Sequence, residues 1–418
     1  MTLDNHLCNH SIELLSPCGD MERLKLALKF GADAVYLGGT QFGMRSNPSN
    51  FDAEELKKAV QLTHGCGKKL YLTCNTLPRN RELEALPEYL SYVKSIGVDA
   101  LIIADMGVFA LAKKYADGVD IHISTRAGVV NYEAANALYA MGAKRIVTAR
   151  ELSLDEIREL RDKTNPDLEI EVFVHGAMCM SFSGRCILSD YMVGRDANRG
   201  DCAQPCRWKY HLVEETRPGQ YFPINQEDDG TYIFNSKDLC MLEYIPALDR
   251  AGIDSFKIEG RAKSEYYTAI VTYAYRHAID EYLQSGRKAD YKPSKWIVDE
   301  MEKMSHRAYT TGFNFGPIQQ GQVLDSGGYI RNWDVCALFD SYEDGRVTVR
   351  QRNRFFQGDT LEVVEPDKLP YTVTVDKLYN VKDAEYTEVA NKATDLYSFQ
   401  CSREIGSDAI FRVERKDK

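Results

Sequence analysis

Short apolar runs alternate along the first 260 residues with longer segments whose apolar positions recur every three to four residues. The short runs are typical of buried strands and the longer segments of amphipathic helices. Two of the helical segments are DMERLKLALKFG (20–31) and AEELKKAVQLTHG (53–65). The apolar runs are IELLSP (12–17), AVYLGG (34–39), KLYLTCN (69–75), ALIIAD (100–105), IHIST (121–125), RIVTAR (145–150), IEVFVHG (170–176) and SFKIEG (255–260). The pattern therefore predicts repeated strand–helix units.

The number of these units favours a closed barrel. Eight strand–helix units spanning about 250 residues make a (β/α)8 TIM-type barrel, and residues 12–262 contain eight apolar runs. An open, doubly wound sheet is the alternative α/β arrangement, but the count of eight favours the barrel. We therefore predict an α/β fold whose first domain is a TIM-type barrel over residues 12–262.

The connection between the seventh and eighth strands is unusually long. The seventh strand ends near residue 176 and the eighth begins near residue 255, whereas a crossover needs only about a dozen residues. In a barrel this connection opens on the C-terminal face, where active sites lie. We predict a cysteine-rich insertion over residues 177–240, which contains Cys179, Cys186, Cys202, Cys206 and Cys240.

The sequence changes character after the eighth strand. Residues 263–314 contain the long helical pattern SEYYTAIVTYAYRHAIDEYLQSG (264–286), which predicts a helical connector. Strand-like runs dominate from residue 315 to residue 418, and the Asp-Gly pair at 344–345 lies between two alternating runs, as in a β-hairpin. We predict that residues 315–418 form a small C-terminal β-barrel or sandwich.

Composition and charge narrow the function classes. The chain has 418 residues, of which 44% are hydrophobic and 27% charged, as is typical of a soluble globular protein. No apolar stretch reaches the roughly 18 residues of a membrane span, and the N-terminus does not look like a secretory signal, so we expect a cytoplasmic protein with no membrane partner. The net charge of −10 argues against a broadly basic nucleic-acid surface but allows a local basic patch.

The cysteines indicate metal or redox chemistry, because disulfides are disfavoured in a reducing compartment. Six, fifteen and thirty-seven residues separate Cys179, Cys186, Cys202 and Cys240 in turn. This spacing matches neither the close pairs of zinc fingers nor the cysteine run of bacterial ferredoxins, although thiolates do select zinc or iron–sulfur clusters. Cysteines can also be buried as small apolar residues, but a polar loop offers little core for five of them. Metal or cluster binding is the favoured interpretation.

Polar and charged residues recur where the barrel strands are predicted to end, which is where substrates bind in this fold. The arginines there suit bidentate binding of a carboxylate donor, or they only cap the strands and pair with Glu151 or Glu259. His175 and Glu259 are the candidate proton-transfer residues, and His175 could instead be a hydrogen-bonded rim residue. The candidate substrate-binding residues at the strand ends are Asn75, Arg126, Arg150 and Arg261.

The insertion also brings basic and aromatic residues together in sequence. Arg195, Arg199 and Arg207 are interleaved with Tyr191 and Trp208. Such a mixture suits the splayed bases and phosphates of single-stranded RNA. The alternative is a solvated loop whose arginines pair with nearby carboxylates, and the sequence does not decide between the two. The three arginines are therefore candidate RNA-binding residues.

Five motifs are distinctive in combination: ELLSPCGDMERLKLAL near the start, EVFVHGAMCMSFSGRCILS (171–189), RGDCAQPCRWKY, SKDLCML and SFKIEGRAKSEYY. Together they resemble the collagenase-type peptidase family of unknown catalytic mechanism (peptidase family U, number thirty-two). The likeness covers residues 12 to about 316. The β-rich remainder is similar to the tail of family members that carry a C-terminal domain.

The resemblance implies oxygen-independent hydroxylation, despite the family's name. Similar proteins act on a ubiquinone precursor, on ribosomal RNA, or on the wobble uridine of tRNA, which becomes 5-hydroxyuridine. A [4Fe–4S] cluster is implied on Cys179, Cys186, Cys202 and Cys240, with Cys206 as the alternative to Cys240. A prephenate-derived carboxylate donor is also implied, and a paralogous protein partner is left open. One barrel with a β-rich tail favours the tRNA branch, so tRNA is the expected partner.

Two other functions remain as alternatives. A peptidase is what the family name implies, but the sequence has neither the H-E-x-x-H zinc motif nor the G-x-S-x-G elbow. Cys179 and His175 lie four residues apart, which is no evidence of the hydrogen bond that a nucleophile pair needs. A non-catalytic scaffold with a structural metal is the other alternative. We expect hydroxylation rather than proteolysis.

Overall fold

The first folded unit is a closed barrel of eight parallel strands. The computed structural model describes residues 11–43, 50–179, 181–182, 185–208, 226–227, 230–231, 237–316 and 329–415. The barrel strands are β1 (Glu13–Pro17), β2 (Ala34–Gly38), β3 (Lys69–Cys74), β4 (Ala100–Ile103), β5 (Asp120–Ile123), β6 (Arg145–Val147), β7 (Glu169–Ala177) and β8 (Ser255–Ile258). Ser255 pairs with Glu13 on one side and with Glu171 on the other, which closes the ring. The predicted barrel is confirmed, and the open sheet is wrong.

Helices alternate with these strands and cover the outside of the barrel. Their starts follow the expected chemistry, because Asp20, Asp52 and Ser153 each accept a backbone N–H in the first turn of a helix. In the described ranges the helices are α1 (Met21–Lys29), α2 (Ala53–Gly65), α3 (Asn80–Leu83), α4 (Leu86–Ser95), α5 (Met106–Tyr115), α6 (Tyr132–Ala140), α7 (Leu154–Lys163), α8 (Leu188–Val193), α9 (Ile245–Arg250), α10 (Glu265–Gln284) and α11 (Lys295–Glu302).

Helix α10 belongs to the barrel rather than to a separate connector. The Thr272 hydroxyl lies 2.7 Å from the Ser16 hydroxyl of β1. The Tyr273 ring packs edge-on against Phe30, with 6.0 Å between the ring centroids. This helix therefore occupies the outer position after β8, and the barrel extends beyond the boundary at residue 262 that the strand pattern predicts. The sequence predicts a helical connector over residues 263–314. In the structure this segment contains the last barrel helix, α10, followed by α11.

The barrel interior contains an apolar layer and a charged layer. Alternate residues of a strand point to opposite faces, so each barrel strand contributes one set of side chains to the interior and one to the helices. Arg145 and Lys257 lie in the interior and both form ion pairs with Glu171. The apolar inner cluster consists of Leu15, Ala34, Tyr36, Tyr71, Ala100 and Ile102.

The described parts of the insertion lie next to β7. A short strand, Asp238–Cys240, runs antiparallel to the end of β7, with Cys240 opposite His175. Its other edge pairs with Tyr309–Thr310. The described insertion also contains helix α8, two short 3-10 turns (Ala197–Arg199 and Pro205–Arg207) and an antiparallel pair of two-residue strands, Gln226–Glu227 and Gly230–Thr231. These elements place the cysteine-bearing segment at the C-terminal end of the barrel.

The C-terminal unit is an antiparallel sheet with its own buried core. The sheet order is β13–β12–β18–β9–β10–β17–β14–β15, with β11 and β16 as a separate pair, for strands β9 (Trp333–Glu343), β10 (Arg346–Gln351), β11 (Phe355–Phe356), β12 (Thr360–Val364), β13 (Tyr371–Thr374), β14 (Asp376–Asn380), β15 (Glu385–Tyr386), β16 (Val389–Ala390), β17 (Leu396–Gln400) and β18 (Ile410–Glu414). The predicted turn joins β9 to β10, with φ values of 48° at Asp344 and 75° at Gly345. The β-rich C-terminal domain is confirmed.

A buried arginine joins the two units. Arg412 of β18 is fully buried and donates to both carboxylate oxygens of Glu300 on α11, at 2.6 and 2.7 Å. It also donates to Glu362 of β12 at 2.8 Å and to the Tyr266 hydroxyl of α10 at 2.9 Å. The C-terminal sheet is thus fixed to the barrel helices. In the described part of the chain, no helix is long and apolar enough to span a membrane.

Candidate active site

A cavity of about 500 Å³ opens at the C-terminal end of the barrel strands. Tyr36, Phe173 and Lys257 line it from within the barrel, and Ala197 and Pro205 of the insertion line it from outside. The volume lies within the range of roughly 300–1,000 Å³ that small-molecule sites occupy. The position agrees with the general location of active sites in this fold.

Three predicted arginines line this cavity together. Arg126 is buried and donates to the backbone and side-chain oxygens of Asn198, at 3.3 and 3.2 Å. Burial and the neighbouring Arg185 guanidinium lower the pKa of Arg126 below its usual value. Since Asn198 belongs to the insertion, Arg126 connects the barrel mouth to that segment.

Arg261 and Arg150 occupy different environments in the same cavity. Arg261 is 4% exposed, and its Nη1 donates to the Thr73 hydroxyl at 3.4 Å. A Cβ at Gly38 would lie 2.1 Å from that nitrogen, so glycine leaves the room that the guanidinium occupies. Arg150 stacks on the Phe173 ring at 3.9 Å. The predicted Asn75 also lines the cavity, so the four strand-end candidates meet in one place.

Glu259 is the predicted proton-transfer residue that lies in the cavity wall. It lines the cavity wall and accepts from Arg150 through Oε2 at 3.1 Å. This contact is the ion pair that the sequence offered as an alternative role for Arg150. The pair leaves Arg126, Arg261 and Lys257 as further cations of the cavity wall.

His175 does not share that position. His175 is not among the described residues that line the cavity. Its ring instead packs near three tyrosines, with 5.6–5.9 Å between the ring centroids of His175 and those of Tyr267, Tyr275 and Tyr309. Burial, followed by the nearby charge of Lys263, lowers the pKa of His175 to about 3. The imidazole is therefore neutral near pH 7, and of the two candidates only Glu259 is among the described residues that line the cavity.

Lys257 is a cavity residue that the sequence did not single out. Its Nζ lies 2.6 Å from Glu171 Oε1 and 4.5 Å from the Tyr36 ring centroid. Glu171 is fully buried and also accepts from Arg145 at 3.0 Å. The available signal was a lysine in the middle of the apolar run SFKIEG, since a charge at an inward strand position is costly unless it is paired.

Two of the three predicted loop arginines pair with carboxylates. Arg195 donates to Asp201 at 2.8 Å, and Arg199 pairs with Glu82 of α3. The side chain of Arg207 lies outside the described residues. Two of the three arginines therefore follow the alternative interpretation, in which they pair with neighbouring acids, and the Arg199 pair ties the insertion to the barrel.

Four thiols face the cavity from the insertion. They belong to Cys179, Cys186, Cys202 and Cys206. The Cys186 sulfur accepts the Leu188 N–H at 3.3 Å and the Cys202 sulfur accepts the Gln204 N–H at 3.4 Å. Hydrogen bonds of this kind stabilise sulfur ligands of metal clusters.

Cys240, the predicted fourth ligand, is placed differently. It lies on the short strand opposite His175, and burial raises the pKa of its thiol to about 11. Cys206 is among the described residues that line the cavity, and Cys240 is not. Over the described ranges, no three His, Cys, Asp or Glu side chains are grouped closely enough to hold a metal ion. The thiols thus share a cavity wall without meeting at one point.

The fold and site define a TIM-barrel protein with a cavity lined by cations and thiols. The chain matches the model of peptidase family U32 over residues 19–323 and that of the family's C-terminal domain over residues 331–412. The protein belongs to peptidase family U32, as the motifs predicted.

Three relatives differ in the activities for which they are named. The chain is 36% identical over 403 residues to tRNA hydroxylation protein P1 of Bacillus subtilis, which covers 96% of this chain and 94% of that relative. It is 43% identical over 364 residues to an uncharacterized protease of Methanocaldococcus jannaschii, with coverages of 84% and 86%. It is 37% identical over 309 residues to a 23S rRNA 5-hydroxycytidine synthase of Escherichia coli, which covers 73% of this chain and 45% of that relative.

Proposed function

We propose that this protein hydroxylates RNA, and that its substrate is the wobble uridine of tRNA, which it converts to 5-hydroxyuridine without molecular oxygen. The observation that carries the proposal is the meeting of three arginines, a lysine and four thiols around one cavity. The names of two relatives, for tRNA hydroxylation and for 5-hydroxycytidine synthesis in rRNA, support the RNA class.

The cations suit an anionic co-substrate. Buried guanidinium groups match carboxylate oxygens in pairs of hydrogen bonds, and their attraction for anions is stronger away from water. Arg261 and Lys257 are each 4% exposed and both face the cavity. We therefore propose that they hold a prephenate-derived carboxylate that donates the hydroxyl oxygen and is reduced by two electrons as the C5–H bond of uridine is replaced by C5–OH, while Glu259 exchanges a proton with the uridine or the donor.

The thiols fit a [4Fe–4S] cluster by their chemistry. Soft thiolate ligands select such clusters, and two of the four sulfurs already accept backbone N–H groups. Among the described side chains, no three possible ligands lie close enough together to hold a metal ion. Cluster binding would therefore draw the thiols of the insertion closer together. A bound cluster would supply one-electron transfer beside the cavity.

Iron and sulfide analysis tests the cluster proposal. Protein purified without oxygen should contain about four irons and four sulfides per chain. Cys179→Ala, Cys186→Ala and Cys202→Ala should each lose them. The family resemblance predicts that Cys240→Ala loses the iron and Cys206→Ala keeps it. The opposite result would make Cys206, on the cavity wall, the fourth ligand. One zinc per chain without sulfide would overturn the proposal.

Nucleoside analysis tests the function itself. A strain that lacks this gene and any paralogue, grown without oxygen, should lose the 5-hydroxyuridine-derived nucleosides of its tRNA. Wild-type protein and a Lys58→Gln control, which changes an exposed residue of α2, should restore them, and Arg261→Gln should not. Mass spectrometry of both tRNA and ribosomal RNA separates the outcomes. Normal tRNA together with missing 5-hydroxycytidine in ribosomal RNA would transfer the proposal to the rRNA substrate.

Normal nucleosides in both RNAs would reject RNA hydroxylation and return the ubiquinone-precursor, peptidase and scaffold alternatives. For the peptidase, the geometry gives little support to a Cys179–His175 pair. Cys179 is exposed on the cavity wall, whereas His175 is buried among tyrosines. We therefore expect no turnover of collagen or gelatin by the purified protein.

A further inference from the structure

Three cationic side chains surround Tyr329. Lys263 Nζ, the Arg307 guanidinium and the Arg331 guanidinium lie 4.5, 4.8 and 5.8 Å from the centre of its ring. Lys263 and Arg307 also both donate to the Tyr329 hydroxyl, at 3.4 and 3.3 Å. Two cations thus direct their N–H groups at one oxygen atom.

Two members of this cluster are close along the chain or the sheet to elements of the proposed active site. Lys263 is two residues beyond the cavity residue Arg261, in the loop between β8 and α10. Arg307 precedes the strand Tyr309–Thr310, which lies beside Asp238–Cys240 and through it adjoins the end of β7. Loops after the seventh and eighth strands often form phosphate sites in TIM barrels.

The charges of the cluster are unevenly balanced. Among the described carboxylates, Asp238 pairs with the cluster: its Oδ1 lies 3.9 Å from Arg307 Nη1 and its Oδ2 accepts the Arg307 backbone N–H at 3.2 Å. Within the part of the chain that the structure describes, neither Lys263 nor Arg331 forms an ion pair with a carboxylate. Arg331 donates to the Ser305 hydroxyl at 3.1 Å. Holding cations together with few anions is unfavourable, so an external anion would stabilise the cluster.

We propose that Lys263, Arg307 and Arg331 form a phosphate-binding site, and that its ligand is a backbone phosphate of the RNA substrate. This inference rests on the proposed function for the identity of the RNA, whereas the phosphate chemistry depends only on the cluster. Arg307 is 4% exposed and gives the site a fixed donor. Lys263 is half-buried between the rings of Tyr267 and Tyr329, and Arg331 is exposed at the rim. The RNA strand would pass over β8 with its target base in the cavity.

Binding titrations of an in vitro transcribed tRNA at several salt concentrations test the site. Lys263→Gln and Arg331→Gln should each weaken affinity roughly tenfold at fixed salt. Each should also lower the slope of log affinity against log salt by about 0.7 for a single-stranded contact or about 0.9 for a duplex contact. Lys263→Arg keeps the charge and should retain most of the affinity. Lys58→Gln removes one exposed charge from α2 and should change neither quantity beyond the general charge effect.

A second arm replaces RNA with inorganic phosphate and measures its effect on the melting temperature against chloride of equal ionic strength. Weaker RNA binding in the variants, with or without a phosphate effect, supports the RNA phosphate. The alternative result is that phosphate stabilises the wild type but not the Lys263→Gln/Arg331→Gln variant, while both bind RNA with the same affinity. That result would assign the site to free phosphate or a small phosphate ester and overturn the RNA assignment. No change in either arm overturns the site.

These arms are independent of the cellular test of function. If the nucleosides of the deletion strain are normal while the double variant binds RNA weakly, the proposed reaction fails and the phosphate site stands. If the nucleosides are lost in the deletion strain but the double variant binds and modifies RNA normally, the reaction stands and the phosphate site fails.

Discussion

At the scale of single residues, Lys257 has a position in which stability and function can be separated. It is 4% exposed, faces the cavity and pairs with the fully buried Glu171. Lys257→Met removes one partner of a buried ion pair, which typically costs about 3–5 kcal/mol in the free energy of unfolding. We expect a loss near the lower end of that range, because Arg145 still neutralises Glu171. Urea unfolding measures the change.

The double variant Lys257→Met/Glu171→Gln separates the two roles of the lysine. Removing the buried charge from Glu171 should recover part of the lost stability, whereas hydroxylated nucleosides should remain absent because the cation that holds the donor is still missing. Recovery of both stability and modification would show that Lys257 acts only in folding. Full modification by the single variant would contradict its proposed place in the donor site.

At the scale of secondary-structure elements, the sequence predicted what depends on local periodicity. All eight barrel strands and the hairpin at Asp344 follow from patterns within about ten residues. The boundary at residue 262 came too early, because an amphipathic pattern identifies helix α10 but not the β1 and α1 residues on which it packs. Some ion pairs form only when the chain folds, such as that between Arg199 and Glu82, which are 117 residues apart in the sequence. Such pairs leave no signal in the local sequence pattern.

The Arg199–Glu82 pair gives a test of what holds the insertion against the barrel. If Arg199 acts by this contact, Arg199→Glu should lower iron content and modification, and the charge-swapped variant Arg199→Glu/Glu82→Arg should restore them. If Arg199 instead contacts an RNA phosphate, as the sequence suggested, the swap should not restore RNA affinity or its salt dependence. Since partly exposed pairs contribute only about 0–1 kcal/mol, the effect on global unfolding should be small.

At the scale of the whole molecule, one fully buried arginine joins the barrel to the C-terminal sheet, beside the Lys303–Glu362 and Arg352–Glu22 ion pairs. Arg412 donates to Glu300 of α11 and to Glu362 of β12. Arg412→Met leaves Lys303 as the remaining cation beside both carboxylates, so we expect a loss near the lower end of the range of about 3–5 kcal/mol in the free energy of unfolding. Calorimetry should show one transition for the wild type and two for this variant. The control Arg415→Met breaks an exposed pair with Asp334 and should cost no more than about 1 kcal/mol.

The same junction should weaken in acid. Burial alone would raise the pKa of Glu362, but the Arg412 guanidinium and the Lys303 ammonium lower it below the usual value of 4.5. A carboxyl whose pKa is lowered in the folded state contributes stability above its unfolded pKa, and this contribution is lost as the pH falls through the folded value. As the pH falls below about 4.5, the single calorimetric transition of the wild type should therefore separate into two, one for each unit. Glu362→Gln should show two transitions already at neutral pH, with a weaker dependence on acid. A wild type that still melts in one step after Glu362 is protonated would show that the apolar contacts around Val364 and Ile410 suffice to couple the units.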